Sequence, residues 1–299
     1  PCARKVNDHL YRMYYCIVVN NYIKTGGRTY DGSWTERAFI GVMETSDPAS
    51  NNWEDKGFVI CSSSDKGTNW NRASEGDWNA YFKFNAIDPS FIITPEGEHW
   101  LIYGSWHSGI AAVQLNPETG KTLAELPKSY GTAAEIAAYG KLIFTRTNGG
   151  RWQGAEAPEI VYHDGYYYLF LAYDGLDIPY NTRVLRSTKV DGPYETLNGA
   201  VTDASKGANN NPTVLTHPYK FSEGYGWVGI SHCAVFDDGN GNWYYASQQR
   251  FPANVGGNAY SNAIMMGGVR SIQWESNGWP TVMPERYGAV PQASINESE

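Results

Sequence analysis

Charge is scarce in this chain. Only 18% of its 299 residues are Asp, Glu, Lys or Arg, and the acidic ones prevail, giving a formal net charge of −8. Nucleic-acid binding needs basic stripes, and none is present. The same acidic balance disfavours an anionic polymer as ligand and suits a neutral one. Cysteine is sparse too. Cys2, Cys16, Cys61 and Cys233 show no CxxC or Cys/His spacing that would announce a metal site, and the sequence assigns no disulfide among them. No run of about 18 apolar residues occurs, so no membrane-spanning helix is expected. No signal peptide is visible. Helix-forming stretches are almost missing, and 132–138, Thr-Ala-Ala-Glu-Ile-Ala-Ala, is the one helical candidate.

Turn formers and aromatics fill the space left by charge. The chain holds 32 Gly, 22 Tyr and 11 Trp, residues that favour turns and pleated, half-buried surfaces. One pattern recurs: a turn, an aromatic-rich strand, then a strand of small or aliphatic residues. It begins at Asn7-Asp8-His9, at Glu96-Gly97-Glu98, at Asp164-Gly165 and at Asn240-Gly241-Asn242. The last three copies each have an apolar strand ahead of the turn, at 91–94, 160–162 and 234–236. Four such four-stranded units at irregular spacing read as blades of a β-propeller rather than a generic sandwich. The whole of 1–299 reads as a single domain. Polar, Gly-rich loops are expected over 62–79 and 205–212.

The innermost strand of each propeller blade lines the central channel, and the residues entering these strands converge on one mouth. Three such segments are Asn85-Ala86-Ile87-Asp88-Pro89-Ser90-Phe91, Gly154-Ala155-Glu156-Ala157-Pro158-Glu159-Ile160 and Gly229-Ile230-Ser231-His232-Cys233-Ala234-Val235. Placed in register, they set Asp88, Glu156 and His232 at equivalent positions. Glu156 taken alone reads as a solvated loop carboxylate. Three ionisable groups at one mouth read as chemistry, because mutual burial pushes their pKa values apart.

With these motifs the sequence resembles glycoside hydrolase family 43, the five-bladed propeller arabinanases and their relatives. The resemblance rests on Ala86-Ile87-Asp88-Pro89-Ser90, Leu101-Ile102-Tyr103-Gly104-Ser105-Trp106, Asn116-Pro117-Glu118-Thr119-Gly120, Glu156-Ala157-Pro158, Asp191-Gly192-Pro193-Tyr194, Ser231-His232, and Trp274 with Gly278-Trp279-Pro280. It implies an all-β, five-bladed propeller with four blades visible here. The implied reaction is inverting hydrolysis of α-1,5-linked arabinan, with acid and base about 6.5–9.5 Å apart. Glu156 would be the general acid and Asp88 the carboxylate that raises its pKa and orients it. His232 would lie on the axis beside a hydrated cation, commonly calcium. The competing role for His232 is a hydrogen-bonded core histidine.

Ser105, Trp106, Trp152 and Arg250 are the substrate-binding candidates, with core packing the alternative for each tryptophan. Trp34 and His107 are loop residues, the latter without an assigned role. The family's general base is an Asp on a first blade that has no counterpart here, and Asp8, on a hairpin turn, cannot replace it. The chain is therefore expected to be N-terminally truncated or to have lost its base. A binding propeller without turnover, or a hydrolase of xylan side chains or galactan, are the alternatives. The resemblance further implies a secreted or periplasmic monomer whose partner is plant cell-wall polysaccharide.

Overall fold

The computed structural model describes residues 1–19, 21–24, 28–31, 37–62, 84–127, 133–147, 152–202, 213–216, 227–250 and 265–285. Trp34 and nearly all of the predicted polar loops at 62–79 and 205–212 lie outside them. The first sheet contains β1 (Cys2–Asn7), β2 (Leu10–Val19), β5 (Arg37–Thr45) and β6 (Glu54–Cys61), with the small hairpin β3 (Asn21–Lys24) and β4 (Arg28–Asp31) inserted. The second contains β7 (Ser90–Ile93), β8 (His99–Tyr103), β9 (Ile110–Leu115) and, after the short helix α1 (Ala133–Ala137), β10 (Lys141–Phe144). The third runs β11 (Ala155–His163), β12 (Tyr166–Tyr173), β13 (Asn181–Ser187), β14 (Tyr194–Glu195) and β15 (Val201–Thr202). The fourth runs β16 (Val228–Asp237), β17 (Trp243–Arg250), β18 (Met265–Trp274) and β19 (Pro280–Val282).

Strands pair in simple antiparallel order within every sheet, so each sheet is a meander that starts at the axis and walks outward. These are four propeller blades, the third widened by one short strand. The predicted helix is present and short. Asp164-Gly165 forms the β11–β12 turn, with His163 opposite Tyr166 and Tyr162 opposite Tyr167. No helix among the described residues is long and apolar enough to cross a membrane.

The core lies between blades. Tyr14, Ile40 and Val42 of the first blade pack with Phe91, Leu101 and Val113 of the second. Ile102, Ile110 and Phe144 of the second pack with Ile160, Leu169 and Leu171 of the third. Phe170 and Val184 of the third pack with Ile230, Val235 and Tyr245 of the fourth. Burying each such side chain contributes roughly 1.5–3 kcal/mol, and the alternation along each strand dictates which residues do it. On the fourth blade Phe236, Met265, Met266 and Val269 stay exposed.

Polar keys fix how the blades meet. Arg12, fully buried, donates to Glu44 Oε1 at 2.7 Å and to the carbonyls of Pro117 and Glu118, each at 2.7 Å. Tyr14 adds a hydrogen bond to the Gly120 carbonyl at 2.8 Å. The Asn116-Pro117-Glu118-Thr119-Gly120 turn is therefore the part of the second blade that docks on the first. Gly120 has φ +69, and a Cβ there would stand 3.0 Å from Arg12 Nε, so the position needs glycine twice over. Replacing Arg12 by Met is expected to destabilise the protein by about 3 kcal/mol, since it leaves Glu44 and two carbonyls without their partner. A shifted urea midpoint at unchanged slope is the measurement.

Candidate active site

Three segments turn into the channel in the same way. Asp88, Ala157 and His232 all adopt left-handed backbone, with φ 52, 52 and 57. Strand register shifts across Glu156/Glu159 and Ser231/Ala234, the mark of a β-bulge that re-aims side chains. The equivalent residues are thus Asp88, Ala157 and His232, and Glu156 stands one position earlier. This corrects the sequence register, which set Glu156 level with Asp88 and His232. The three ionisable groups nevertheless converge, because a residue one step before the bulge still faces the mouth.

Glu156 is held from both sides. Ser105 donates to its Oε2 at 2.8 Å and Tyr180 to its Oε1 at 2.6 Å. Tyr180 is fully buried. Burial first, and then the Glu156 carboxylate, push its phenol far above the ordinary range, so it remains a donor. Asp88 accepts the Ala157 amide at 3.1 Å through Oδ2 and faces His232 Nε2 at 3.9 Å through Oδ1. Its carboxyl is pushed up to about 6, chiefly by burial; nearby Glu156 adds to the rise, and His232 opposes it. His232 is about half exposed, at 48%, and Asp88 only 13%.

Beneath the mouth lies a cavity of about 290 Å³ whose wall includes Cys2, Arg4, Cys16, Asp88, Glu159 and His232. Glu159 is almost wholly buried and pairs with Arg4, so it is not a free carboxylate. The four cysteines are free thiols. A larger groove of about 960 Å³ runs from His232 along Phe236, Tyr244, Met266 and Val269. It carries none of the carboxylates.

The remaining candidates separate. Ser105 is buried and touches Glu156 directly. Trp106 serves through its backbone: its amide donates to the Ala155 carbonyl at 3.0 Å, and its carbonyl accepts from Gln153 at 2.6 Å. These bonds splice the loop after β8 onto the entrance of β11. Trp152 is 53% exposed, its ring tilted against buried His107 at 4.5 Å, which makes it an open platform near Glu156 in sequence. His107, unassigned by sequence, is the support of that platform. Arg250 is buried at 3% exposure, and a Cβ on Gly229 (φ +61) would stand 3.2 Å from its Cδ.

Sequence reasoning missed Tyr180, Arg4 and Glu159. For Glu159 there was a signal: a lone charge in the otherwise apolar run Ala157-Pro158-Glu159-Ile160-Val161. Tyr180 and Arg4 carried none.

The donor set does not suit calcium held directly by the protein. Calcium takes six to eight oxygens, whereas His232 brings a nitrogen and Cys2 and Cys16 bring thiols. Among the described residues no group of three or more His, Cys, Asp or Glu is arranged to hold a metal ion.

A model of the family described as Glycosyl hydrolases family 43 matches residues 1–280. Extracellular endo-alpha-(1->5)-L-arabinanase 2 of Bacillus subtilis is 29% identical over 234 residues, covering 72% of this chain and 45% of that protein. Extracellular endo-alpha-(1->5)-L-arabinanase of Thermotoga petrophila is 30% identical over 231 residues, covering 72% and 44%. The chain thus spans less than half the length of these two relatives. The crystal structure of endo-1,5-alpha-L-arabinanase from Thermotoga petrophila RKU-1 superposes with a TM-score of 0.71 at 26% identity, over 98% of this chain and 61% of that one.

The raised Asp88 pKa has a definite sign. The folded carboxyl binds its proton more tightly than the unfolded one, whose pKa is about 3.9. Its contribution to stability is therefore full below about pH 4 and lost as pH rises through about 6. Asp88→Asn is expected to be more stable than the parent at pH 8 by about 1–3 kcal/mol, and equal to it near pH 4. Urea midpoints at the two pH values test this.

Proposed function

The chain belongs to glycosyl hydrolases family 43, and on that premise we propose that it hydrolyses α-1,5-linked arabinofuranosyl bonds in arabinan by an inverting acid–base route. The observation that carries the reading is the pairing of Glu156, held by Ser105 and Tyr180, with a neighbouring carboxyl pushed up to about 6. Glu156 is the general acid: its proton goes to the glycosidic oxygen as the bond to the anomeric carbon breaks, while a water attacks that carbon from the opposite face and gives up its proton to a general base, a part that none of Asp88, Glu156 and Glu159 plays. Tyr180 and Ser105 hold its carboxyl plane in one orientation, so the proton is delivered along one line. Asp88 shares the field of Glu156 and tunes and orients it through the Ala157 amide.

The relatives' printed names support the substrate and an extracellular location. The net charge of −8 suits a neutral polysaccharide. Trp152 offers an exposed indole face for a sugar ring, and Trp106 lies beside it in the spliced loop. Arg250 is buried beside Gly229. Among the described residues His232 would hold a cation on the axis, with water completing its shell, and no step of the reaction passes through it.

A second reading is binding of arabino-oligosaccharide without turnover. It is favoured by one observation: of the two carboxylates lining the cavity under the mouth, Asp88 serves the acid and Glu159 is committed to Arg4.

Reducing-sugar release from linear arabinan separates the readings. Glu156→Gln is expected to lower the rate by about 10²–10⁴-fold while leaving oligosaccharide affinity in place. Equal release by the two proteins would sink the assignment of Glu156. Binding by calorimetry with no release from the parent chain would establish the second reading. Tyr180→Phe is expected to cost about tenfold in kcat with little change in KM, since it removes one hydrogen bond to the acid and no contact with bulk substrate.

A further inference from the structure

Glu159 is a charge in the wrong place for a propeller core. It sits on the inner strand of the third blade at 4% exposure, three residues past Glu156. Yet every blade reaches it. Arg4, on the inner strand of the first blade, forms an ion pair with its Oε1. Ser90, on the second, donates to its Oε2 at 2.7 Å. Val235, on the fourth, donates its backbone amide to Oε1 at 2.9 Å. Ser90 Oγ in turn accepts the Ile160 amide at 3.1 Å, which ties the second and third strands a second time.

The anchor points stand two or three residues past the site. Ser90 is two residues past Asp88, and Val235 is three past His232. At about 3.3 Å per residue, each anchor lies within about 10 Å of the group it governs. A bulged strand entering a channel can slide along the axis or rotate about its own. A hydrogen bond at that short distance stops both movements. We propose that Glu159 and Arg4 are a positioning pair that sets the depth and rotation of Asp88, Glu156 and His232 relative to one another. The inference rests on reading Glu156 and Asp88 as the acid and its tuning carboxylate.

The pair has a second consequence for shape. Arg4 lines both the cavity of about 290 Å³ under the mouth and a second one of about 670 Å³ that contains Tyr11, Trp53, Tyr162 and Trp243. Arg4 thus faces both cavities, whereas Asp88, Glu159 and His232 line only the first of the two.

Cohesion alone does not explain the arrangement. Well-packed apolar side chains of similar volume hold strands together as well as a buried ion pair, and often better. What they lack is the fixed donor–acceptor geometry that a reacting site needs to within about 0.5 Å. The glutamate's neighbours are all used: two oxygens, one guanidinium, one hydroxyl and one amide.

The test is the double variant Arg4→Met/Glu159→Met, which leaves no orphan charge, with Glu159→Gln as the conservative companion. The double variant is expected to melt within a few degrees of the parent. Its kcat on linear arabinan falls by at least about tenfold, with KM within about threefold, because misplaced groups bind but do not react. Hydrogen exchange at the Ile160 and Val235 amides quickens by at least about tenfold, while Leu169 and Leu185, in the middle of the third blade, keep their protection. Should the double variant not fold, folded Glu159→Gln is expected to show the same split between kcat and KM, in smaller measure. Parent-like kcat in a folded variant overturns the inference. So does unchanged exchange at Ile160 and Val235, whether or not the parent chain turns over arabinan. A parent without turnover counts instead against the function proposed above, and the exchange comparison still decides the role of the pair.

Discussion

The structure depends on a chain of hydrogen bonds that passes from blade to blade around the channel. On the inner strands of the second, third and fourth blades one entry amide bonds outside its own sheet, since a buried amide must find a partner. The preceding blade supplies it from a side chain at a fixed place. Cys2 Sγ accepts the Phe91 amide at 3.4 Å, Ser90 Oγ accepts the Ile160 amide at 3.1 Å, and Glu159 Oε1 accepts the Val235 amide at 2.9 Å. Cys2, Ser90 and Glu159 look unrelated as residues and do the same work. The apolar clusters between blades provide most of the cohesion, but they would tolerate sliding. The side-chain-to-amide chain does not.

That rigidity lets the mouth hold groups that are unfavourable in themselves. Non-glycine residues in left-handed backbone cost about 1–2 kcal/mol each, and Asp88, Ala157 and His232 all adopt it. Asp88 is also kept where its charged form is disfavoured. Such costs gather where chemistry needs unusual placement, and the surrounding packing must offset them. Glu156, one residue before the turn, gains two hydroxyl partners from other segments, Ser105 from 51 residues away and Tyr180 from 24.

Much of this was legible in the sequence, for physical reasons. Strand alternation and turn chemistry are local, so the four units, the Asp164-Gly165 hairpin and the short helix could be read directly. The segments entering the inner strands, among them Asp88-Pro89 and Glu156-Ala157-Pro158, flagged the mouth because each precedes a turn-and-strand unit of the same pattern. The register of Glu156 was misread by one residue. Left-handed backbone favours Asp, Asn and His, so a carboxylate was the natural match for Asp88 and His232, and alanine was not. Tyr180 and Arg4 were illegible because their meaning is tertiary. Arg4 meets Glu159 across 155 residues, and neither local pattern announces the other. Arg250 read as a mouth residue because the sequence gives no sign of the close approach of Gly229 that buries it. The third blade's extra strand is two residues long, too short to leave a periodic trace.

The chain of amide bonds has a direction. In each link the acceptor belongs to the earlier blade and the donor to the later one, from Cys2 to Phe91, Ser90 to Ile160 and Glu159 to Val235. A polypeptide leaves the ribosome N-terminus first. Each acceptor is therefore already made when its donor emerges, and none of these three entry amides has to wait for a later blade. The propeller can be laid down as a one-way assembly line, each finished sheet serving as the jig for the next.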